Sequence, residues 1–289
     1  MTEKVRVSAL YIHPVKSAGS IAVDSIELDE LGAVNDRRWM LVDVNGAFLT
    51  QRELGALALI HPALHEDGLV LRSPSREELF VEAPPIEFPV YDSIVWGDPV
   101  RIRDAGDAAA AWCSAIVGMS VRLTHIAESS RRPLQTRYAG SVNSKGRTVA
   151  LSDGAPLLIL GEGSLAALNV RLAEKRLSPL GVDRFRPNVV LSGTHAHDED
   201  EWQTIRIGNL TLGVGTPCPR CVMTTVDQSI GKRSPVREGE AGGEPLRTLA
   251  TYRRQGTGVM FGMNATNAAS GTLRVGDAVT IVERKAQSA

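Results

Sequence analysis

The segment Thr216-Pro217-Cys218-Pro219-Arg220-Cys221-Val222-Met223-Thr224-Thr225-Val226-Asp227 gathers the side chains best suited to chemistry. Its Cys-x-x-Cys spacing lets two thiols meet, which suits a redox dithiol. The same spacing is half of a zinc site, but zinc takes four ligands and a second such pair is missing from the sequence. His195 and His197 can complete a set, at an unusual spacing. One thiolate can instead bind a soft metal or a metal–sulfur cofactor. Two packed thiols in a loop are the fourth reading. Arg220 sits between the cysteines, and a neighbouring cation favours thiolate over thiol. The hydroxyls of Thr224 and Thr225 can serve a ligand, or the two residues can simply suit a strand.

A second group is basic. Lys16-Ser17 ends the run His13-Pro14-Val15-Lys16-Ser17, Arg37-Arg38 follows Asp36, and Arg186 lies in Phe185-Arg186-Pro187-Asn188. Guanidinium forks and ammonium points are what phosphate binding needs, although any one of them alone reads first as a surface charge. His13, at a strand end, reads as structural. A third candidate is Asp153 in Ser152-Asp153-Gly154-Ala155-Pro156, either an acid/base group or a turn residue. The sequence has no Walker loop, dinucleotide fingerprint, Gly-x-Ser-x-Gly elbow or His-Glu-x-x-His pair.

These residues must be positioned by a chain of 289 residues, 43% of them apolar and 22% charged, with a formal net charge of −1. That is room for one large domain or two medium ones. The charge balance supplies no global field for nucleic acid or an anionic membrane, so any anion site is local. The N-terminus has no continuous apolar segment, and apolar runs such as 156–160 are too short to span a bilayer. A soluble, cytoplasmic protein is expected. Three cysteines do not make a disulfide framework and read as thiols in a reducing compartment.

The pattern along the chain predicts mainly β structure with covering helices (α+β). Strands are expected near 5–11, 21–28, 69–72 and 121–126, with hairpins at 38–50 around Asn45-Gly46 and at 94–103 around Gly97-Asp98. Residues 107–117 form an alanine-rich helix, capped by Asp104 or Asp107 and ended by Gly118. Residues 128–147 are polar, carry Arg131, Arg132, Arg137, Lys145 and Arg147, and read as a loop or linker folded over a ligand. Helices are expected at 164–176, capped by Ser164, and at 245–254, opened by Pro245. Further strands are expected at 188–191, 204–207, 210–214 and 222–226, with a last hairpin at 273–282 around Gly276-Asp277.

Taken together, the motifs YIHPVKS at 11–17, DRRW at 36–39, LSDGAPLLIL at 151–160, FRPNVVLSG at 185–193, CPRCVMTTVD at 218–227 and GTLRVGDAV at 271–279 resemble the MOSC family. The likeness runs from about residue 7 to 282. Within that family it is similar to the mitochondrial amidoxime reducing component and its bacterial relatives. The resemblance implies an N-terminal β-barrel-like domain at 1–127 and a MOSC β-barrel domain at 128–285, with 128–147 as linker or loop. It implies a molybdenum cofactor of the molybdopterin type, with Cys221 as the protein ligand to the metal. Lys16, Ser17, Arg37, Arg186 and Asn188 fall where the family holds the cofactor's phosphate and pterin. Gly262 and Asn264 belong to a late motif near the site, Phe261-Gly262-Met263-Asn264. Asp153 matches a carboxylate close to the metal, a candidate for handling protons or orienting substrate.

The implied activity is reduction of N-hydroxylated compounds, such as amidoximes and hydroxylamines. Electrons would come from a separate partner of the ferredoxin, flavodoxin or cytochrome b5 type. An iron–sulfur cluster is not expected, because no further cysteines remain to bind one. Pyridoxal phosphate is not expected either, because its desulfurase domain is absent. Where some relatives have Thr and Ser after the aspartate, this chain has Gly154 and Ala155. Backbone amides or Lys16 must then replace two hydroxyl contacts. A cofactor or sulfur carrier, and a metal-free Cys218/Cys221 dithiol protein, are the other functional readings.

Overall fold

Arg6–Ile12 is a strand with Val7, Leu10 and Ile12 buried and Arg6 exposed. A computed structural model describes this chain over residues 4–142, 146–233 and 243–286; Lys145 lies outside the described residues. The strand pairs with Ile21–Val23 on one side and, antiparallel, with Val189–Ser192 on the other. It thereby joins a large sheet ordered Ile21–Val23, Arg6–Ile12, Val189–Ser192, Leu157–Gly161, Gly258–Asn267, Leu210–Arg220, Trp202–Ile207, Val279–Arg284, with Arg254–Gln255 paired to Gly258–Asn267. Within it, Leu157–Gly161 runs parallel to Val189–Ser192. The helix Glu162–Glu174 makes the crossover that a parallel pair requires. Leu157–Gly161 is buried at every position, as expected for a strand covered on both faces.

Trp39–Val42, Arg122–Ile126, Asp98–Asp104 and Tyr91–Val95 form a second, four-stranded sheet. His61–His65, Gly68–Ser73 and Arg76–Glu82 form a third. The expected helix at 107–117 is present as Asp107–Val117 and ends at Gly118, whose φ of 76° is the left-handed conformation glycine accepts most readily. Its trigger is not an acidic cap: Gly106 occupies the cap position, and Asp104 instead accepts the Gly106 amide. The architecture is mainly β with covering helices, as the patterning indicated. The sheets do not follow chain order, because residues 6–23 share a sheet with strands drawn from 157–284. Among the described residues, no helix is long and apolar enough to cross a membrane.

Several local expectations are corrected. The strand expected at 222–226 begins only at Val226, as Val226–Asp227; Val222–Thr225 is a 3-10 turn. The Thr224 and Thr225 hydroxyls donate back to the carbonyls of Cys221 and Val222 at 3.0 and 2.7 Å, and such local bonds compete with sheet pairing. The helix after Pro245 spans only Leu246–Ala250, because Arg254–Gln255 turns at Gly256 and pairs with Gly258–Asn267. Ser164 does not cap its helix, which starts at Glu162; its hydroxyl donates to the buried Glu199 carboxylate. The 273–282 segment is not a hairpin. Gly271–Arg274 pairs with Ser25–Asp29 and Val279–Arg284 with Trp202–Ile207, so the chain changes sheets at Gly276. The 128–147 stretch is partly ordered by pairing of Arg132–Pro133 with Thr148–Val149 and by a 3-10 turn at Thr136–Tyr138.

Candidate functional site

A cavity of about 420 Å³ opens where several element ends converge. Lys16 and Ser17 reach it just beyond Arg6–Ile12, and Arg186 and Asn188 just before Val189–Ser192. Cys218 and Cys221 come from the end of Leu210–Arg220, and Asp153 from the turn before Leu157–Gly161. Arg37 and Asn264 also line it. Gly262 does not. It sits in the Gly258–Asn267 strand at φ 73°, where a side chain would put Cβ 2.9 Å from the Ile159 carbonyl oxygen. Its glycine is explained by backbone packing.

Ser17, Arg37 and Arg186 share an unusual backbone: φ is 63°, 47° and 55° respectively. The left-handed region costs a residue with a side chain on the order of 1–2 kcal/mol. Three such residues on one cavity are a concentration of strain of the kind found at ligand sites. Nothing in the local sequence announces it, since none of the three is Gly, Asn or Asp.

The Lys16 ammonium is buried, donates to the Leu151 carbonyl at 2.8 Å and pairs with the Asp153 carboxylate. Burial pulls its pKa down, and the Asp153 charge only partly restores it. Asp153 accepts from Trp96 Nε1 at 3.0 Å and from Arg52 Nη2 at 2.9 Å. Desolvation in the cavity wall pushes the Asp153 pKa up, but the charges of Lys16 and Arg52 outweigh it and hold the carboxyl well below the usual carboxylate range. Arg52 in turn lies 4.5 Å from the Trp96 ring. Burial lowers the Arg52 pKa, while Asp153 and, after it, Cys221 raise it, with a net rise. The cation facing Cys221 is therefore Arg52. Arg220 turns away: it reaches the Cys218 sulfur at 3.1 Å and the Phe185 carbonyl at 2.7 Å.

Arg37 donates to Asp36 at 2.5 Å and to Asn188 Oδ1 at 3.1 Å. Asn188 is fully buried and also ties the Leu158 amide to the Tyr11 carbonyl, so much of its side chain serves the fold. Arg186 donates to the Ala18 carbonyl. Burial, and then repulsion from Arg37, push its pKa down to about 9. His13 is structural, held against the Pro187 carbonyl at 3.2 Å.

Several buried polar atoms around this cavity have no hydrogen-bond partner: Arg52 Nη1, Arg186 Nη2, Arg220 Nε and Ser152 Oγ. An unpaired buried donor costs about 1–3 kcal/mol, and more when charged. Three guanidinium groups with donors to spare make a cradle for an anionic ligand, beside a cysteine able to bind a soft metal. Among the described residues, no three His, Cys, Asp or Glu converge to hold a metal ion, so His195 and His197 do not complete a zinc set with the cysteines. Cys113 lies apart and fully buried, with its thiol pushed up to about 12 by desolvation.

Four residues important to this wall were not singled out individually by the sequence, although Arg132 and Tyr138 fall in the 128–147 stretch expected to fold over a ligand. Arg52 comes from the turn after Thr50, and Trp96 from the turn between Tyr91–Val95 and Asp98–Asp104. Tyr138 lines the cavity from the 128–147 stretch. Arg132, in the same stretch, is 1% exposed; it pairs with Asp98 at 3.0 Å and donates to the Ser152 carbonyl, pinning the turn that presents Asp153.

The family model described as MOSC N-terminal beta barrel domain matches residues 4–120, and that described as MOSC domain matches residues 146–280. The chain is 34% identical to mitochondrial amidoxime-reducing component 1 of Mus musculus, over 96% of this chain and 82% of that protein. It is 32% identical to mitochondrial amidoxime reducing component 2 of Bos taurus, over 94% and 82%. It is also 32% identical to mitochondrial amidoxime-reducing component 1 of Homo sapiens, over 96% and 82%. With both family models matched in order and this similarity sustained along nearly the whole sequence, the chain belongs to the MOSC family.

Proposed function

We propose that the cavity holds a molybdenum cofactor of the molybdopterin type and that the protein reduces N-hydroxylated compounds such as amidoximes and hydroxylamines. The observation that carries this reading is the set of unsatisfied buried guanidinium donors around a cavity that also presents Cys221. The names of the relatives supply the reaction class. Lys16, Ser17, Arg37 and Arg186 would hold the phosphate and pterin, with Asn188 and Asn264 fixing the strands that carry them. Cys221 would bind the metal, a soft ligand on the rigid end of Leu210–Arg220. When bound, the cofactor supplies the two-electron redox chemistry and the oxygen acceptor at molybdenum.

The chain's own residues supply position and charge. Asp153 has Oδ1 taken by Lys16 and Trp96 and Oδ2 by Arg52, and it is held ionised. It is therefore an anchor that orients substrate and fixes Arg52, and a poor proton donor near neutral pH. Electrons come from a separate ferredoxin, flavodoxin or cytochrome b5-like protein. The protein works in the cytoplasm, where its cysteines, none of them paired, stay thiols.

The test is to purify the protein, measure molybdenum and pterin, and assay benzamidoxime with electrons from dithionite-reduced methyl viologen. Stoichiometric molybdenum with benzamidine formation supports the reading, and NADPH alone should give no turnover. Stoichiometric molybdenum without turnover on any N-hydroxylated compound makes the protein a carrier. Absence of metal, with a reversible Cys218–Cys221 disulfide, makes it a dithiol redox protein.

A further inference from the structure

The wall of the cavity holds more positive charge than its neighbours balance. Lys16, Arg37, Arg52, Arg137, Arg184 and Arg186 line it together with Arg220, while among the described residues Asp153 is the one carboxylate in the lining. Four of these cations are paired with a carboxylate: Arg37 with Asp36 and Arg184 with Asp227 behind the wall, Lys16 and Arg52 with Asp153 in it. Arg137 is not. It is exposed, and its guanidinium lies 4.7 Å from the ring of Tyr138. No carboxylate among the described residues pairs with it.

An exposed arginine is ordinarily a solvated charge. Here the backbone beneath it is fixed. The Thr216 hydroxyl donates to the Arg137 carbonyl at 2.8 Å, two residues from Cys218. Gly140 lies so close to Gly213 that a Cβ would come within 2.3 Å of the Gly213 carbonyl oxygen. Gly215 leaves similar room for the Tyr138 carbonyl, and the Ser141 hydroxyl donates to the Gln203 carbonyl at 2.7 Å. The strap is thus laid flat on the strand that leads to the cysteines. Tyr138 packs over Gly154, where a Cβ would stand 2.9 Å from the ring. The Tyr138 ring is thus held between the Asp153-Gly154 turn and the Arg137 guanidinium, which lies over it and is seated by it at the mouth.

We propose that Arg137 selects the substrate, favouring N-hydroxylated compounds that carry a carboxylate or another anionic substituent. The N-hydroxyl group points inward past Asp153 toward Cys221, and the anionic substituent meets Arg137 at the mouth, where Tyr138 seats the guanidinium. The inference rests on the reductase reading for its N-hydroxylated group, and on geometry alone for its anionic part. A single solvent-facing ion pair is modest, so the expected preference is about three- to tenfold and falls as salt is added.

The experiment compares benzamidoxime with its para-carboxylate derivative on the purified holoprotein. Binding is measured by calorimetry on the oxidised protein without reductant, so that it does not depend on turnover. KM is then measured for both compounds with reduced viologen. The carboxylate should bind about three- to tenfold more tightly and show the lower KM. Arg137→Gln should abolish the difference, Arg137→Glu should invert it, and Arg137→Lys should keep part of it. Tyr138→Ala should shrink the difference, because the ring that seats the Arg137 guanidinium is gone. Equal affinities in the wild-type protein, or a ratio unchanged by Arg137→Glu, would overturn the inference. Failure to reduce either compound while the binding preference persists would overturn the reductase reading and leave only the anion preference of Arg137 standing.

Discussion

Arg52 Nη2 donates to Asp153 Oδ2 at 2.9 Å, joining residues 101 positions apart across the wall of the cavity. With Lys16 on the other carboxylate oxygen, this fixes the charge state of Asp153. A depressed carboxyl pKa contributes stability that is present above the unfolded value, about 3.9, and is lost as pH falls through the folded value. Asp153→Asn should therefore lower the urea midpoint at neutral pH. The gap from wild type should narrow only at pH values below about 4. It should also leave the Lys16 ammonium buried without its counter-charge. A variant with the wild-type midpoint throughout that range would show that the ion pair adds no net stability.

The two neighbouring cysteines should separate cleanly. Cys221 faces Arg52, whereas Cys218 is engaged by Arg220. Cys221→Ser should abolish amidoxime reduction, because a serine oxygen is a harder ligand and far less readily deprotonated. Cys218→Ser should keep the metal and a substantial part of the activity. Parallel measurements of molybdenum content, charge-transfer absorption and turnover decide it. A dead Cys218→Ser beside a wild-type Cys221→Ser would reverse the ligand assignment.

Arg186→Ala should lower cofactor content rather than substrate affinity. The residue holds a left-handed backbone and an unpartnered Nη2, two costs that a bound anion would justify. Molybdopterin content per protein and the thermal midpoint of the cofactor-free protein are the two readouts. Full cofactor content with normal stability would remove Arg186 from the anion cradle.

Gly154→Ala should cost about 1–2 kcal/mol, the range for overpacking a fitted contact, because the new methyl meets the Tyr138 ring. In a Tyr138→Ala background the same change should be nearly neutral, since the obstructing ring is gone. Denaturant unfolding of the four proteins in the cycle measures the coupling. Additive effects would mean that the ring moves aside freely and is no fixed platform.

Much was legible from the sequence because it rested on local rules. Helix 107–117 was readable from its alanines and Gly118, and the strand at 210–214 from its apolar residues. The MOSC likeness was readable from motifs in order, and it singled out Lys16, Ser17, Arg37, Asp153, Arg186, Asn188, Cys221 and Asn264, which converge on one cavity. What was not legible depended on contacts between distant segments. The 222–226 segment looks like a strand by composition, yet threonine hydroxyls bonding back to local carbonyls make Val222–Thr225 a turn and delay the strand to Val226. The 273–282 segment looks like a hairpin, yet its two strands find better partners in different sheets. Arg220 looks like the cation for Cys221 by adjacency, but side-chain direction gives that place to Arg52. Charge compensation, left-handed backbone at non-glycine residues and the close approach of Gly140 to Gly213 are properties of through-space packing. Spacing along a chain does not encode which groups meet across a fold, and so only the tertiary structure could assign Arg52, Trp96, Arg132 and Tyr138 to the site.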